Sequence, residues 1–395
     1  MQLQPEQIRA HRLRAHHLDR KLPACDIIKA AEVCGLQNSP PGAWETSLFN
    51  RLETCTLTTL HNALYTEKTL LQAWSFRGAP FVFPTEQSDI FLTPLIAQEG
   101  EDPWIYTAGV KGALDHLQMP FEEVLARVKT AIAYLDEHAI TSKEALDRTL
   151  ANIVFQDLPA EKQALWQDPS IYGNPQKQTM GDAAVSFLLR PCSFYSLIVF
   201  GKREGTSPTF TSFRHWVGRN STHIPNADKE LVRKFVHCYG PATKNDLMSW
   251  LGCSRKQAQR LWGTVSNELV PIEVESKTGF MSASDLDNLP QEVCDQDQLL
   301  LLGAHDPYLD LRDRGMILRD KAQHKEVWKY VSNPGVILKG GRIIGTWRTA
   351  STAKTLAFSL ITWEKLSKNE HQKLNELAED YASFRGKHPR VAFSG

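Results

Sequence analysis

Gln37, Asn38 and Ser39 stand in a row in the stretch GLQNSPPG and are followed by two prolines and a glycine. Those three breakers forbid a continuous helix, so the polar side chains sit in a gap between two helical patterns. Gln, Asn and Ser are common turn residues, and Asn or Ser also caps helix starts. The triplet is therefore either a plain interhelical turn or the working end of the protein. Several chemistries are disfavoured at once. No lysine in the triplet region stands ready to form a Schiff base, no glycine-rich phosphate loop occurs, and no Cys or His set has metal-ligand spacing.

A second chemical pattern is cationic. In SRKQAQRLWGTVSNE, Arg255, Lys256 and Arg260 occur with no acid until Glu268. Arg255 and Lys256 fall in the first turn of the expected helix, the part of a recognition helix that approaches base edges or phosphates. Residues 6–21, EQIRAHRLRAHHLDRK, carry five Lys/Arg, among them Arg9 and Arg12, and three His against two acids. Such a helix tracks a phosphate backbone or presents a solvated basic face. His16 and His17 read as neutral surface histidines at pH 7.

These residues need elements to hold them. Ile27, Ile28, Ala31 and Leu36 predict a helix before the triplet, and Trp44, Leu48, Phe49 and Leu52 predict another after it. Helical pattern continues through TLTTLHNALYTEKTLLQAW, after which SFRGAPFVFPTEQ reads as strand and turn. Three helices and then a strand are the order of a winged helix. A second such unit follows, with FEEVLARVKTAIAYLDEHA, a helix capped by Thr141 and Glu144, GDAAVSFLLR, and a hairpin in SFYSLIVFGKREGTSPTFTSF. The third unit runs NADKELVRKFVHCYG, KNDLMSWLG and SRKQAQRLWGTVSNE, with capping pairs Thr243/Asp246 and Ser254/Gln257, then a wing in LVPIEVESKTGFMSA. From Gln298 short strands and glycine turns predict a small mixed β domain ending in a helix. The expected boundaries are 1–115, 116–222, 223–297 and 298–395, an α+β fold.

At 395 residues and 42% apolar content the chain can bury real cores. Forty-five basic residues balance forty-five acidic ones, so a nucleic-acid face must arise from local segregation of charge. Seven scattered cysteines read as reduced and mostly buried. No long apolar run and no secretory signal occur, so the expectation is a soluble cytoplasmic protein.

The tandem helix-turn-helix order, RAHRLRAHHLDR, AWSFRGAPFVFP, DPYLDLRDR and NPGVILKGGRIIGTWR together resemble the AlkZ/YcaQ helix-turn-helix family of bacterial DNA glycosylases. The likeness covers nearly the whole chain. It implies tandem winged helices in a C-shaped scaffold around duplex DNA, a small C-terminal β domain, and release of alkylated or crosslinked purines by hydrolysis of the N-glycosidic bond. It implies a monomer associated with the nucleoid, without cofactor, metal or nucleotide.

The family signature, a glutamine, an apolar residue, then a second glutamine or an aspartate, falls on Gln37, Asn38 and Ser39. Such a pair grips the attacking water, and a carboxylate would also accept its proton. Gln37 keeps the first position. Ser39 is shorter than an amide and lacks a carboxylate's charge, which leaves Asn38 as a substitute water ligand if the backbone is rotated by the prolines. A non-catalytic DNA-binding protein, either a lesion sensor or a transcription regulator, is the alternative on the same scaffold. By resemblance Asp306, Arg312 and Arg314 form a network bracing the β domain, and Arg77 meets DNA or braces the first wing. Trp74, Trp250, Trp262 and Trp347 are expected in the core.

Overall fold

The computed structural model describes residues 1–103, 109–289, 295–310 and 313–394. Arg312 and Cys294 lie outside them. The chain forms two compact units, one of Met1–Ala63, Val232–Leu247 and Val265–Gly395, the other of Leu64–Leu231 and Met248–Thr264. Helices and strands are mixed along the chain and a sheet closes the C-terminal part, so the α+β class is correct.

The first unit is built on five strands in the order His388–Ser394, Thr355–Thr362, Arg342–Ser351, Gly335–Lys339 and Leu299–Leu302. All neighbours are antiparallel except the pair of Thr355–Thr362 with His388–Ser394, which is parallel because helix Lys368–Phe384 forms the crossover. Ser367 and Glu370 cap that helix reciprocally. Its Leu374, Ala378 and Tyr381 pack on Trp347, Phe358 and Leu360 of the sheet. Hairpin Leu269–Val274 and Lys277–Ser282 turns through Glu275 and Ser276, both at positive φ, as a two-residue hairpin with right-handed strand twist requires.

The second unit carries hairpin Leu70–Trp74 with Pro80–Pro84, and a three-stranded sheet in the order Ile140–Thr141, Thr209–Ser212, Ile198–Phe200. Its core gathers Trp74, Val124, Leu150, Trp166, Leu188 and Phe210 from the helices and strands around them.

Three expectations about local structure need correction. Helix does not run through LLQAW: it stops after Leu57–His61 and the π-type turn Asn62–Thr66, and Leu70–Trp74 is a strand buried on both faces. Burial on both faces erases the alternation that would have marked it. The second capping residue is Ser142, which accepts from Ala145 N at 3.2 Å, while Thr141 belongs to a strand. The helix before the triplet ends at Glu32, and Leu36 with Gln37 is extended.

Candidate functional site

Gln37 lies at the end of the two-residue strand Leu36–Gln37 and is half-buried. Its Nε2 donates to the Ser39 carbonyl at 3.3 Å. Asn38 is only 5% exposed, and its Oδ1 accepts the Gly42 N–H at 2.7 Å. It thus closes the turn from inside, a role suited to a short amide among prolines. That oxygen is thus engaged within the turn rather than turned toward a substrate. Ser39 is exposed. Gly42 sits at φ +90° immediately before helix Ala43–Arg51, a conformation that side chains rarely adopt.

A charged network that sequence inspection missed adjoins this turn. Arg385, just past helix Lys368–Phe384, donates through Nη2 to the Gly42 carbonyl at 3.3 Å and to Thr46 Oγ1 at 3.0 Å, and its Nη1 pairs with Glu45 Oε2. Its Nε reaches the Tyr381 hydroxyl at 3.1 Å. The other Glu45 oxygen meets His61 Nε2 at 2.9 Å. Burial alone would push the Glu45 carboxyl up, but the His61 hydrogen bond and the Arg385 charge hold it below its ordinary value. Glu45 and Arg385 are 340 residues apart, and no motif links them in the sequence.

The cationic candidates divide into buried and exposed sets. Arg9 and Arg12 are buried. Arg12 donates to the carbonyls of Tyr239 at 2.7 Å and Gly240 at 3.2 Å and pairs with Asp313 at 2.8 Å. It satisfies the carbonyl end of helix Ala227–Tyr239. Arg9 reaches Glu6 at 2.6 Å and the Met316 carbonyl at 3.2 Å. The expected solvated or phosphate-tracking face of this helix is largely internal. His16, expected at the surface, is 2% exposed, and burial holds its pKa well below the usual histidine value.

Arg77, at φ +55°, donates to the Trp250 carbonyl and braces its own unit. Arg260 is clasped by Glu101 at 2.9 Å and Asp228 at 2.6 Å. Arg255 and Lys256, in contrast, are exposed at the start of helix Arg255–Gly263, which Ser254 caps.

Asp306 is fully buried, and its partner is Arg51, both oxygens meeting guanidinium nitrogens at 2.8 Å. Arg314 lies over the Trp328 ring, 4.5 Å from its centroid. The expected Asp–Arg network thus runs to an arginine on helix Ala43–Arg51 that only tertiary contact reveals. Trp74, Trp250 and Trp347 are buried, Trp262 partly so.

A cleft of about 1200 Å³ lies between hairpin 269–282 and the segment from Asp313 to His324. Lys277, Arg319 and Lys321 are exposed on it, and Arg314 and His324 line it. Asp246, Glu275 and Asp313 line the same cleft, and Glu275 lies 3.9 Å from Arg319, so its charge is mixed. Among the described residues, His11, His237 and Asp285 bring ligand atoms within 4.8 Å of one another. The His237 Nδ1 to Asp285 contact at 2.7 Å and the His11 Nε2 to His237 carbonyl contact at 2.9 Å account for that grouping.

Comparison with known proteins sets this geometry in context. No curated protein matches the chain. The solved DNA glycosylase AlkZ of Streptomyces sahachiroi aligns over 100% of both chains with a TM-score of 0.80 at 16% identity, a likeness of fold. The family model for DNA glycosylase AlkZ-like proteins matches residues 30–384, which takes in the Gln37 turn, Glu45 and His61 but not Arg385, and most of the C-terminal sheet. With nine-tenths of its length matched in this way, the chain belongs to the AlkZ-like DNA glycosylase family.

Proposed function

We propose that the protein is a monofunctional DNA glycosylase that acts as a monomer on duplex DNA and releases alkylated purines, bulky or crosslinked ones included. Hydrolysis of the bond from sugar to base needs a water held on the far side of C1′ and stabilisation of an oxocarbenium-like transition state. A purine alkylated at N3 or N7 is already cationic and leaves readily, so positioning of water supplies most of what the site must do. Gln37 orients that water in this reading, with the Ser39 hydroxyl beside it. The observation that carries the proposal is the family match spanning Gln37, whose half-buried side chain adjoins an exposed Ser39.

The DNA contacts are assigned to the exposed cations Arg255 and Lys256, and Lys277, Arg319 and Lys321 of the cleft. Helices Ala227–Tyr239, Lys244–Leu251 and Arg255–Gly263 with hairpin 269–282 are read, in chain order, as a winged helix.

One observation favours a second reading, a non-catalytic DNA-binding protein on the same scaffold. Asn38 is turned inward and Ser39 has neither amide nor carboxylate, so Gln37 is the only amide of the triplet left to face a substrate.

The test is single-turnover base release from duplexes carrying an N7-alkylguanine or an interstrand crosslink. Wild type is expected to leave alkali-labile abasic sites, and Gln37→Ala to lose about 10²-fold or more in rate, as for removal of one water-positioning group. Equal release by wild type and Gln37→Ala would sink the assignment.

A further inference from the structure

Tyr330 and Val331 sit on the loop that joins helix His324–Val327 to strand Gly335–Lys339. Their exposures are 104% and 71%, the highest of any large apolar or aromatic side chain among the described residues. The chain nevertheless fastens this loop on both sides. Asn333 Oδ1 accepts the Lys329 N–H at 2.8 Å and closes the turn, with Ser332 at φ +60°. Arg348, on the adjacent strand Arg342–Ser351, donates through Nη2 to the Ser332 carbonyl at 2.7 Å and through Nη1 to its hydroxyl at 3.3 Å. At the other end the Trp328 ring donates to the Leu309 carbonyl at 3.1 Å, and Val327 and Pro334 are buried. These bonds offset the ordering entropy of the loop in the free protein, so the apolar tip is held out ready for a partner.

The surroundings of the tip are cationic. Lys325, Lys329 and Arg348 are exposed, and Glu326, 3.6 Å from Lys329, is the single acid in residues 324–334. Trp328 packs against His324 and Arg314, which both line the cleft that carries Lys321, so the loop stands at its rim. The partner that fits is a polyanion with flat apolar faces between its charges, and bases stacked between two phosphate strands are such a surface. A lipid surface shares the charge, but one tyrosine and one valine bury less apolar surface than an acyl chain, which alone holds a membrane only marginally. A stable protein interface takes about 800 Å² from each partner, several times the roughly 200 Å² of a tyrosine side chain.

We propose that Tyr330, with Val331 beside it, is a wedge that enters a base step of duplex DNA and stacks on a base, while Lys325 and Lys329 seat the flanking phosphates. The inference rests on the DNA-directed reading above and names the part of the chain that probes the stack. Opening a step costs least where a damaged base has already weakened it. A wedge fixed in the free protein therefore separates damaged from intact duplex by the ease of insertion.

The competing account is that Tyr330 is ordinary surface, of no consequence when removed. The two separate in a titration of the full-length protein with three duplexes of one sequence. One is intact, one carries a 7-methylguanine whose 2′-fluoro sugar blocks base release, and one carries a tetrahydrofuran abasic analogue. 2-Aminopurine stands beside the lesion, and its fluorescence rises when it leaves the stack. Wild type is expected to prefer the damaged duplexes and to raise the fluorescence. Tyr330→Ala is expected to lose about 10-fold in affinity for them, as for removal of one stacked ring, together with the fluorescence rise. Its thermal unfolding should match wild type, because the side chain is fully exposed. Tyr330→Phe keeps the ring and should keep both properties.

Equal affinity and equal fluorescence for wild type and Tyr330→Ala overturn the wedge and leave DNA binding through other residues standing. An affinity loss that Tyr330→Phe shares, or that comes without a fluorescence change, shows a contact other than stacking and overturns it as well. Sedimentation with phosphatidylserine vesicles that depends on Tyr330, when DNA binding does not, moves the loop to a membrane surface. Absence of wild-type binding to all three duplexes overturns the DNA-directed reading and the wedge with it.

Discussion

Arg51 and Asp306 meet through two parallel hydrogen bonds of 2.8 Å, with side chains 2% and 0% exposed. Removal of one member leaves an uncompensated charge in a low-dielectric interior, a loss larger than the worth of the pair itself. Asp306→Ala is expected to lower stability by roughly 3–5 kcal/mol in a denaturant titration. A conservative Asp306→Asn still breaks the charge balance and should fall short of wild type. At this scale the sequence was partly legible. Asp306 was recognisable as a buried, bracing acid, but the partner expected from DPYLDLRDR was a neighbour in sequence, and Arg51 is 255 residues away. Sequence distance carries no information about which guanidinium fills a buried site. The same holds for Gln37, which could be picked out, and for Glu45, His61 and Arg385, which could not.

Within an element, burial decides which of its charges meet solvent. Helix Arg255–Gly263 carries Arg255 and Lys256 exposed in its first turn and Arg260 half-buried between Glu101 and Asp228 one turn later. The two ends should therefore respond differently to neutralisation. Arg255→Ala with Lys256→Ala is expected to leave unfolding unchanged and to reduce the slope of log affinity for DNA against log salt by about 2. An unchanged slope would remove this helix from the DNA interface. Helix Pro5–Ala15 shows the opposite outcome: its basic residues looked like a phosphate-facing stripe, yet Arg9 and Arg12 are turned into the protein. Composition read this helix as polar, whereas the guanidiniums serve carbonyls and carboxylates that its neighbours leave to be satisfied.

At the scale of the whole molecule, acid sensitivity follows from histidines held neutral inside. Burial pushes His11 down to about 4 against the opposing Asp285 carboxylate, and it holds His16 well below its ordinary value. The unfolded chain binds these protons near pH 6.5 and the folded one resists them, so the stabilisation is complete above pH 6.5 and is lost as pH falls toward 4. His11 alone accounts for roughly 3 kcal/mol over that window. Unfolding free energy measured at pH 7.5 and pH 4.5 is expected to drop more for wild type than for His11→Gln, and equal drops would show that His11 titrates freely. The net charge of the chain is balanced, and the cleft that carries Lys277, Arg319 and Lys321 also carries Asp246, Glu275 and Asp313, so phosphate contacts there depend on individual exposed cations rather than on a uniformly basic face.

The sequence by itself determined the α+β class, most helices, the hairpins, the general region of four of the five C-terminal strands and the likeness to a glycosylase family, while the last strand, His388–Ser394, was not read. Those features depend on periodicity, caps, turn residues and motifs, which are local properties of the chain. Only the tertiary structure decided that LLQAW is a strand, since burial on both faces leaves no alternation to read. It also turned Asn38 inward on Gly42 and left Ser39 outward. It alone brought Arg385 from beyond the last long helix to Glu45 and His61. Such meetings depend on long-range packing, in which which charge meets which is set by the need to pair every buried polar group, and spacing along the chain does not encode that need.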